Sequence, residues 1–372
     1  MKPKTKIVLA SLLKPVDDVR MYEKFGISLH QTGLYELHIV GFKPNKLPEP
    51  APGIYFHPIF KFKRISWKRV LHSWKLYKLL LKVKPDIIIA NSHDLLIVTY
   101  VYKILFGVKL LYDVQENYYL NILHTEAFPF WLRPFLAGWV RLKEWMSRPF
   151  IHHYFLAEKV YAQQLKFIGK KHTIIENKCR ITGPIFARKR KIDEKKPLKF
   201  LFSGTISRHY GVIEAIGLTN IISISHPVTL EIIGRSADTD FLQEIKALIK
   251  GKEHIIAKIS DQPISHQEII EAIKEADAGI VSYLPNKSTQ GRIPTKVFEY
   301  MVYQLPIIVL NDPEWLPFAD KFKACIEVTL HESPEILLQK LTTASFYSNP
   351  LPLNEISWTA EEEKLLKVIK SL

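Results

Sequence analysis

The sequence repeats one arrangement many times: a short, almost uninterrupted apolar run followed by a stretch with helical periodicity. In the first half the apolar runs are KIVLAS at residues 6–11, YELHIVGF at 35–42, PDIIIANSHD at 85–94 and VKLLYDVQE at 108–116. Strands that are apolar on both faces are typical of parallel sheets covered by helices on both sides. The alternation therefore predicts an α/β fold built on parallel sheets.

Helical periodicity separates these strands. It predicts helices over residues 67–83 and 95–106, and a long helical stretch from about Pro134 to Ile168. The segment HTIIENKC at 172–179 is interpreted as the last strand of this half. Residues 181–198 then contain few apolar and many charged side chains, which is typical of a linker.

The same alternation restarts after the linker, with strands at LKFLFSG, VTLEIIG, EHIIAKI, AGIVSY and PIIVL and helices between them. The sequence therefore predicts two similar doubly wound α/β units on either side of the linker. The first comprises residues 1–180 and the second residues 199–356, and a further helix is predicted at 357–372. In open sheets of this kind, ligands bind at the carboxyl ends of the strands.

Composition excludes several classes of protein. With 372 residues and an apolar share of 47%, the chain can bury two sizeable cores, so disorder is excluded. The two cysteines, Cys179 and Cys325, lack metal-ligand spacing and fit a reducing compartment. No apolar run reaches the roughly 18 residues of a membrane span. The short run before Lys14 and Pro15 favours a first strand over a signal peptide, so we expect a cytoplasmic protein.

Charge is divided unevenly between the two halves. Residues 1–186 contain 29 lysines and arginines against 13 acidic residues, a net charge of +16, whereas residues 187–372 have a net charge of −1. The first half should therefore meet an anionic partner, for which a membrane surface, a nucleic acid and a phosphorylated substrate are alternatives.

The segment LFSGTISRHYGVIEAI at residues 201–216 predicts a strand, a loop of small residues and a helix. Glycines in such a loop let the backbone approach a ligand, and the helix N-terminus offers unpaired N–H groups to a phosphate. The alternative is an ordinary strand-to-helix turn. No GxGxxG or GxxxxGK[ST] pattern occurs, so neither a nicotinamide site nor a P-loop is supported.

The segment RIPTKVFEYMVYQLPIIVL at residues 292–310 combines an apolar helical stripe with a polar one. The polar stripe consists of Arg292, Lys296, Glu299 and Tyr303. Because a strand and a polar loop precede the helix, Glu299 and Lys296 should lie at the same sheet edge as the glycine loop. A carboxylate there can accept hydrogen bonds from a ribose diol, and the cations can neutralise a diphosphate. The alternative is a surface helix capped by charge.

These two segments resemble the signature segments of family 4-like (group 1) glycosyltransferases of the GT-B fold. The resemblance extends to KLLYDVQE, ANSHD, IIEN and the terminal SWTAEEEKLL, in order along nearly the whole chain. It implies two Rossmann-like domains that face each other across a cleft, with the C-terminal helix at 357–372 returning to the first domain. It implies a nucleoside-diphosphate sugar bound by the second domain, an acceptor bound by the first, and transfer with retention of configuration. It also implies that neither a cofactor nor a metal is needed.

Carried over by position, the resemblance implies that Glu299 holds the ribose and that Ile264, within SDQPIS, contacts the base. It places Gly234 and Arg235 at the rim of the site. The remaining expected donor contacts are Gly204, Thr205, Arg208, Tyr210, Gly211, Gln290, Gly291, Arg292 and Lys296.

The sequence departs from the family pattern at three places. Gly291 stands where the family often has a second glutamate, so Gln290 or backbone amides should contact the donor sugar. Tyr210 stands where a lysine usually precedes the last glycine of the loop, which makes Arg208 the expected substitute. In the first domain, Gln115 replaces a frequent histidine.

Three residues of the first domain are candidates for catalysis: His93, Asp113 and Glu116, each near the carboxyl end of a predicted strand. They are positioned to orient an acceptor hydroxyl. The alternatives are a structural histidine and helix-capping carboxylates. The resemblance implies a retaining enzyme without an obvious nucleophile, whose catalysis depends on positioning and on stabilising the diphosphate charge.

Residues 65–84 and 141–153 combine tryptophan with many cations at helical spacing. Such basic amphipathic helices are typical of a membrane surface, although a helix that covers a sheet and exposes a cationic face is the alternative. The leading hypothesis is a glycosyltransferase that extends a glycan or lipid-linked acceptor in cell-surface polysaccharide synthesis, with peripheral attachment to the membrane. The alternatives are a nucleotide-sugar epimerase of the same fold and a basic nucleic-acid-binding protein, for which no recognition motif is present.

Overall fold

A computed structural model describes residues 4–44, 47–62, 68–125, 128–181, 183, 191–194, 196–236, 238–261, 264–351 and 353–372, with the backbone alone at 68–70. The chain divides into two compact units, Met1–Arg180 with Trp358–Leu372, and Ile181–Ser357. Half of the predicted linker, residues 182, 184–190 and 195, lies outside the described residues. Each unit contains one parallel sheet with helices against it, so the predicted α/β class with two doubly wound sheets is confirmed.

The first unit contains a seven-stranded sheet with the order β3-β2-β1-β4-β5-β6-β7. All pairings are parallel. The strand bounds are β1 Thr5–Pro15, β2 Tyr35–Phe42, β3 Ile54–Phe60, β4 Ile87–Ala90, β5 Lys109–Val114, β6 His153–Leu156 and β7 His172–Ile174. The order reverses between β1 and β4, so the crevice at their carboxyl ends is the expected ligand position.

Helices cover both faces of this sheet. A π-helical segment Val19–Gly26 leads into the first α-helix, and the α-helices of the unit are α1 Ile27–Gln31, α2 Lys68–Val83, α3 Leu96–Phe106, α4 Tyr118–His124, α5 Arg133–Ser147 and α6 Tyr161–Gln164. Alternate residues of the strands serve two separate cores. Val8, Ile88 and Leu110 pack beneath α2 and α3, whereas Ile7 and Ile89 pack on the opposite face.

The predicted helical stretch from Pro134 to Ile168 is wrong in its middle. Helix α5 ends at Ser147, and residues 153–156 form β6 between β5 and β7. Periodicity alone does not separate a short apolar strand from a buried helical segment. Here the decisive contribution is pairing with distant residues, for example Asp113 with Phe155 and Leu156 with Ile174.

The second unit contains a six-stranded parallel sheet with the order β10-β9-β8-β11-β12-β13. The strand bounds are β8 Leu198–Thr205, β9 Val228–Arg235, β10 Ile255–Ser260, β11 Ala278–Val281, β12 Ile307–Val309 and β13 Cys325–Glu327. Its order reverses between β8 and β11. The loops that follow these two strands are therefore the expected ligand position of this unit.

The helices of the second unit are α7 Val212–Ile222, α8 Thr239–Ile249, α9 His266–Glu275, α10 Thr295–Val302, α11 Leu316–Asp320, α12 Pro334–Thr343 and α13 Leu353–Ile356. Helix α10 begins later than the polar stripe predicts, because Pro294 is its N-cap and Arg292 lies before it. A residue that precedes a proline is disfavoured in the α region, which explains the start. Among the described residues, no helix is both long and apolar enough to cross a membrane.

The last helix, α14 Thr359–Lys370, belongs to the first unit. Its Glu361 is fully buried and accepts hydrogen bonds from the Lys178 ammonium at 2.7 Å and from the Glu176 backbone N–H at 3.1 Å. Lys364 contacts the same carboxylate at 2.8 Å. Trp358, just before the helix, packs beside Phe25 in the core. The helix is therefore held to the first sheet by a compensated buried charge as well as by apolar packing.

Replacing Glu361 with Ala should lower the free energy of unfolding by about 3–5 kcal/mol, because a buried lysine and a buried N–H lose their acceptor. Hydrogen exchange should show lost protection in α14 and β7, together with a lower denaturation midpoint. Glu363→Ala, on the exposed side of the same helix, is the matched control. Equal stability of the two variants would contradict this role of the carboxylate.

Candidate functional site

The carboxyl ends of β8, β9 and β11 meet through glycines at which no side chain fits. A Cβ on Gly211 would lie 1.7 Å from the Ser282 carbonyl oxygen, and a Cβ on Gly234 would lie 1.8 Å from the Gly204 carbonyl oxygen. Gly204 and Gly211 also have positive φ angles, +99° and +77°. The Ser282 hydroxyl donates to the Gly211 carbonyl at 2.6 Å, which fixes the loop after β8 against β11. The close contacts explain why glycine is needed here.

The Lys296 side chain extends beneath this glycine loop. Its Cε is 3.7 Å from the position that a Cβ on Gly204 would occupy. Its ammonium lies 4.1 Å from the centre of the Phe202 ring and 5.5 Å from that of the Tyr283 ring. The residue is only 6% exposed, and its Nζ has no hydrogen-bond partner among the described residues. A buried cation without an acceptor is costly and marks a position for an anion.

Burial lowers the pKa of Lys296 to about 7, and the nearby Glu299 carboxylate offsets only part of this effect. Near neutral pH the ammonium is therefore close to its titration point. The aromatic rings of Phe202 and Tyr283 attract the charged form weakly. A diphosphate at the glycine loop would place a counter-charge beside this ammonium.

Glu299 lies one helical turn after Lys296, and it too is buried. Its Oε1 is 3.2 Å from the Nε2 of His266, the first residue of α9. The next residue, Tyr300, places its hydroxyl 2.9 Å from the Ser203 hydroxyl. Helix α10 is thus joined to both β8 and α9, and the Glu299 carboxylate is held at the sheet edge where the sequence predicts it.

The Arg208 guanidinium is already paired in the structure. It donates to the two carboxylate oxygens of Glu244 on α8, at 3.0 Å and 2.5 Å, and lies over the Phe241 ring at 5.0 Å. Its charge is therefore compensated, and its part in neutralising a diphosphate stays a prediction. Tyr210 stacks on Tyr283 with 4.6 Å between ring centres, which places its ring next to the aromatic wall around Lys296.

The other predicted donor residues lie around the same end of the sheet. Thr205 and Arg235 are paired at the ends of β8 and β9, and the Arg235 Nε donates to the Asp261 carbonyl at 2.9 Å. Ile264 is half-buried just before α9. Three more residues precede α10: Gln290, which donates to Glu314 at 2.8 Å, Gly291 with a φ of +73°, and Arg292, whose Nη1 is 3.4 Å from the Ser288 carbonyl.

In the first unit, the Asp113 carboxylate is fully buried and bound on both oxygens. Arg20 donates to Oδ2 at 2.9 Å and to Oδ1 at 2.7 Å, and the side-chain amides of Asn91 and Gln115 donate to Oδ2 at 2.8 Å and 3.1 Å. This network joins the segments that follow β1, β4 and β5. The Asp113 carboxylate therefore holds these three segments together at the edge of the sheet.

His93 is buried at the same edge and contacts helix α5. The Lys143 ammonium lies 2.9 Å from its Nδ1, and the Tyr118 ring packs against its edge at 4.7 Å. An Asp94 carboxylate oxygen lies 3.5 Å from the same ring nitrogen. Glu116 accepts a hydrogen bond from the Asn121 amide at 2.6 Å. The structure therefore places all three candidates near one sheet edge, without assigning a catalytic role to any of them.

Sequence reasoning missed several residues that shape these sites. Phe202, Tyr283 and His266 surround Lys296 and Glu299, while Arg20 and Lys143 contact the candidates of the first unit. His266 had a local signal, since Ser265 caps α9 through a hydrogen bond to the Glu268 N–H and so places His266 in its first turn. The other contacts join residues far apart in sequence.

No protein-family model and no curated protein sequence matches the chain. Solved structures do match it over almost its whole length. Sucrose-phosphate synthase from Thermosynechococcus elongatus has a TM-score of 0.72 at 12% identity, covering 99% of both chains. Anabaena Alr3699/HepE in complex with UDP and glucose has a TM-score of 0.63 at 13% identity, covering 99% of this chain and 100% of that chain. The lipopolysaccharide outer core galactosyltransferase WaaB has a TM-score of 0.57 at 12% identity, with 99% of both chains covered.

The chain has the GT-B fold. At identities this low, the likeness concerns the fold and not the reaction. The predicted membership of family 4 stays a prediction.

Replacing Lys296 with Met should raise the free energy of unfolding of the second unit by about 2–4 kcal/mol at about pH 6, because the cost of burying the ammonium disappears. The folded-state pKa is depressed to about 7 from 10.5, so this cost is fully present below pH 7 and vanishes as pH rises to 10.5. The stability gain should shrink over the same interval. Urea unfolding with hydrogen exchange of α10 measures it, with the exposed Lys258→Met as control. A gain that does not depend on pH would contradict a buried charge.

Proposed function

We propose that this protein is a glycosyltransferase that moves a sugar from a nucleoside-diphosphate sugar to a glycan or lipid-linked acceptor, with retention of configuration. The observation that carries the proposal is the buried Lys296 ammonium, which has no acceptor among the described residues and lies beneath a glycine loop at the carboxyl end of β8. A diphosphate is the anion whose size and charge suit a loop of backbone N–H groups above a single cation.

Each part of the second-unit site has a role in this proposal. The Glu299 carboxylate accepts hydrogen bonds from the ribose diol, and its contact with His266 holds it in place. Lys296 neutralises the diphosphate, on which negative charge increases as the bond to the sugar breaks. A cation positioned for that charge stabilises the transition state more than the ground state. The half-buried Ile264 contacts the base, and Gln290 or the backbone near Gly291 contacts the donor sugar.

Structural neighbours support the class of donor. Alr3699/HepE has been solved with UDP-glucose, and the catalytic domain of starch synthase IV from Arabidopsis thaliana has been solved bound to ADP and acarbose. Both cover 98% or more of this chain at TM-scores of 0.61 and 0.60. We extend their class of ligand, a nucleoside diphosphate or its sugar derivative, to this protein as part of the proposal.

The direct test is a panel of nucleoside-diphosphate sugars incubated with the protein alone and with acceptor extracts. One donor should be hydrolysed slowly without acceptor, releasing nucleoside diphosphate, and a chelator should not change the rate. Transfer should leave the anomeric configuration of the sugar unchanged, which NMR of the product measures. Interconversion of two sugar nucleotides without release would instead indicate the epimerase alternative.

Replacing Glu299 with Ala should weaken donor binding by about 1.5–3 kcal/mol, the range for hydrogen bonds to a charged group. Isothermal titration with the donor identified by the panel measures the change. Glu271→Ala, an exposed glutamate of α9, is the matched control. Unchanged affinity in a folded Glu299→Ala variant would refute the assignment of the ribose site.

Donor affinity should fall as pH rises above about 7, by up to about tenfold per pH unit. The diphosphate of a sugar nucleotide keeps its charge throughout this range, whereas Lys296 with a pKa of about 7 loses its proton and must regain it on binding. Below pH 7 the affinity should be constant. Lys296→Met should bind more weakly and lose this pH dependence, and Lys258→Met should retain it. The same pH profile in both variants would show that another group titrates.

A further inference from the structure

Helix α5 has its polarity reversed. Its outward positions are occupied by Phe135, Gly138, Trp139, Leu142, Trp145 and Met146, and no charged side chain lies among them. The exposed fractions are large, 74% for Phe135, 52% for Trp139 and 59% for Trp145. A surface helix whose outer face is exposed to water normally has the opposite arrangement, with polar residues outward and apolar residues toward the core. The outward face of α5 therefore needs an apolar environment.

The inward side of α5 explains how the helix holds this orientation. Glu144 is buried, accepts a hydrogen bond from the Tyr112 hydroxyl at 3.1 Å and pairs with Arg141 at 3.2 Å. Lys143 is buried against His93 at 2.9 Å. Rotating the helix to hide its aromatic residues would break these contacts. The exposed aromatic face is thus fixed by specific polar contacts beneath it.

The apolar surface continues beyond α5. Phe130 and Trp131, just before the helix, are 79% and 61% exposed. The tip of α3 exposes Ile104, Leu105 and Phe106, and α3 approaches the segment after α5 through the stacked rings of Tyr100 and Phe150. Large exposed apolar side chains gathered on neighbouring segments in this way mark an interaction site rather than ordinary surface.

Helix α2 adds positive charge on the same side of the sheet. It packs on α3 through Tyr77 and Tyr102, and its outward face carries Leu71, Trp74 and Leu81 between Lys75, Lys78 and Lys82. Helices α2 and α3 contain no acidic residue, and the single one of α5, Glu144, is buried. The four exposed tryptophans among the described residues, Trp74, Trp131, Trp139 and Trp145, all lie on or next to α2 and α5.

We propose that α5, with Phe130 and Trp131, inserts its aromatic face into the interfacial region of an anionic lipid bilayer while the lysines of α2 contact lipid headgroups. Tryptophan beside lysine, with no exposed carboxylate on α2, α3 or α5, suits this interface, where aromatic rings meet the boundary and cations meet phosphate. The sequence indicated α2 and residues 141–153 for this role; the structure assigns the apolar contact chiefly to residues 130–146.

The test is co-sedimentation of the full chain with vesicles of phosphatidylglycerol mixed with phosphatidylcholine, and of phosphatidylcholine alone. Binding should be strong for the anionic vesicles and should weaken as salt rises from about 50 to about 500 mM, where charges are screened within a few ångströms. Brominated lipids should quench tryptophan emission in the unmodified protein, which reports insertion without any substitution.

Two sets of variants separate the contribution of the aromatic face of α5 to vesicle binding from that of the α2 lysines. Trp139→Ser with Trp145→Ser should weaken binding by about tenfold or more at both salt concentrations, because buried apolar area is lost. Lys75→Gln, Lys78→Gln and Lys82→Gln together should weaken binding at low salt by on the order of 100-fold and leave less salt dependence. Matched controls in the second unit are Ile224→Ser with Ile336→Ser, and Lys246→Gln with Lys250→Gln and Lys287→Gln, all exposed positions.

The proposal is overturned if Trp139→Ser with Trp145→Ser weakens vesicle binding no more than the control variants do. It is also overturned if the unmodified protein neither binds the vesicles nor shows quenching by brominated lipids. Light scattering provides a further check. If the protein forms dimers in solution that Trp139→Ser with Trp145→Ser dissociates, and does not bind vesicles, this face is a protein interface and not a membrane surface.

Discussion

Two close backbone contacts, each between a pair of residues, determine the shape of the second sheet at its carboxyl edge. Gly211 meets Ser282, and Gly234 meets Gly204, at distances that leave no room for a Cβ. Because these contacts draw β8, β9 and β11 together, the loop after β8 lies directly above the Lys296 side chain. The position of the cation, the aromatic rings around it and the neighbouring Glu299 all depend on this close approach.

Much of the fold follows from local pattern, and the exceptions have a common cause. The strands KIVLAS and LKFLFSG are bounded by helical periodicity, and the structure contains both as β1 and β8. Strand β6, HYFL at residues 153–156, was not predicted, because four residues that follow a helix are too few to show a periodicity of their own. Only pairing with β5 and β7 makes them a strand. Short central strands are therefore decided by tertiary contacts rather than by propensity.

The sequence predicts where the residues of the candidate site lie along the fold, but it does not predict how their charges are paired. Helical spacing and the preceding loop place Lys296 and Glu299 at the correct sheet edge, and the structure agrees. That Arg208 pairs with Glu244, whereas Lys296 has no acceptor among the described residues, depends on side chains brought together from separate elements. The exposed apolar face of α5 also could not be predicted from local sequence. It depends on the buried Glu144 and Lys143, whose partners Tyr112 and His93 are distant in the sequence.

The return of α14 to the first unit has a consequence for synthesis on the ribosome. The second unit is one uninterrupted segment, Ile181–Ser357, so all of its strands are available before α14 is translated. The first unit is not complete until Glu361 reaches Lys178 and the Glu176 N–H. The first strands of the N-terminal unit are synthesised earliest. We nevertheless expect this unit to complete its folding after the second one, because β7 packs against a helix that is translated after the whole second unit.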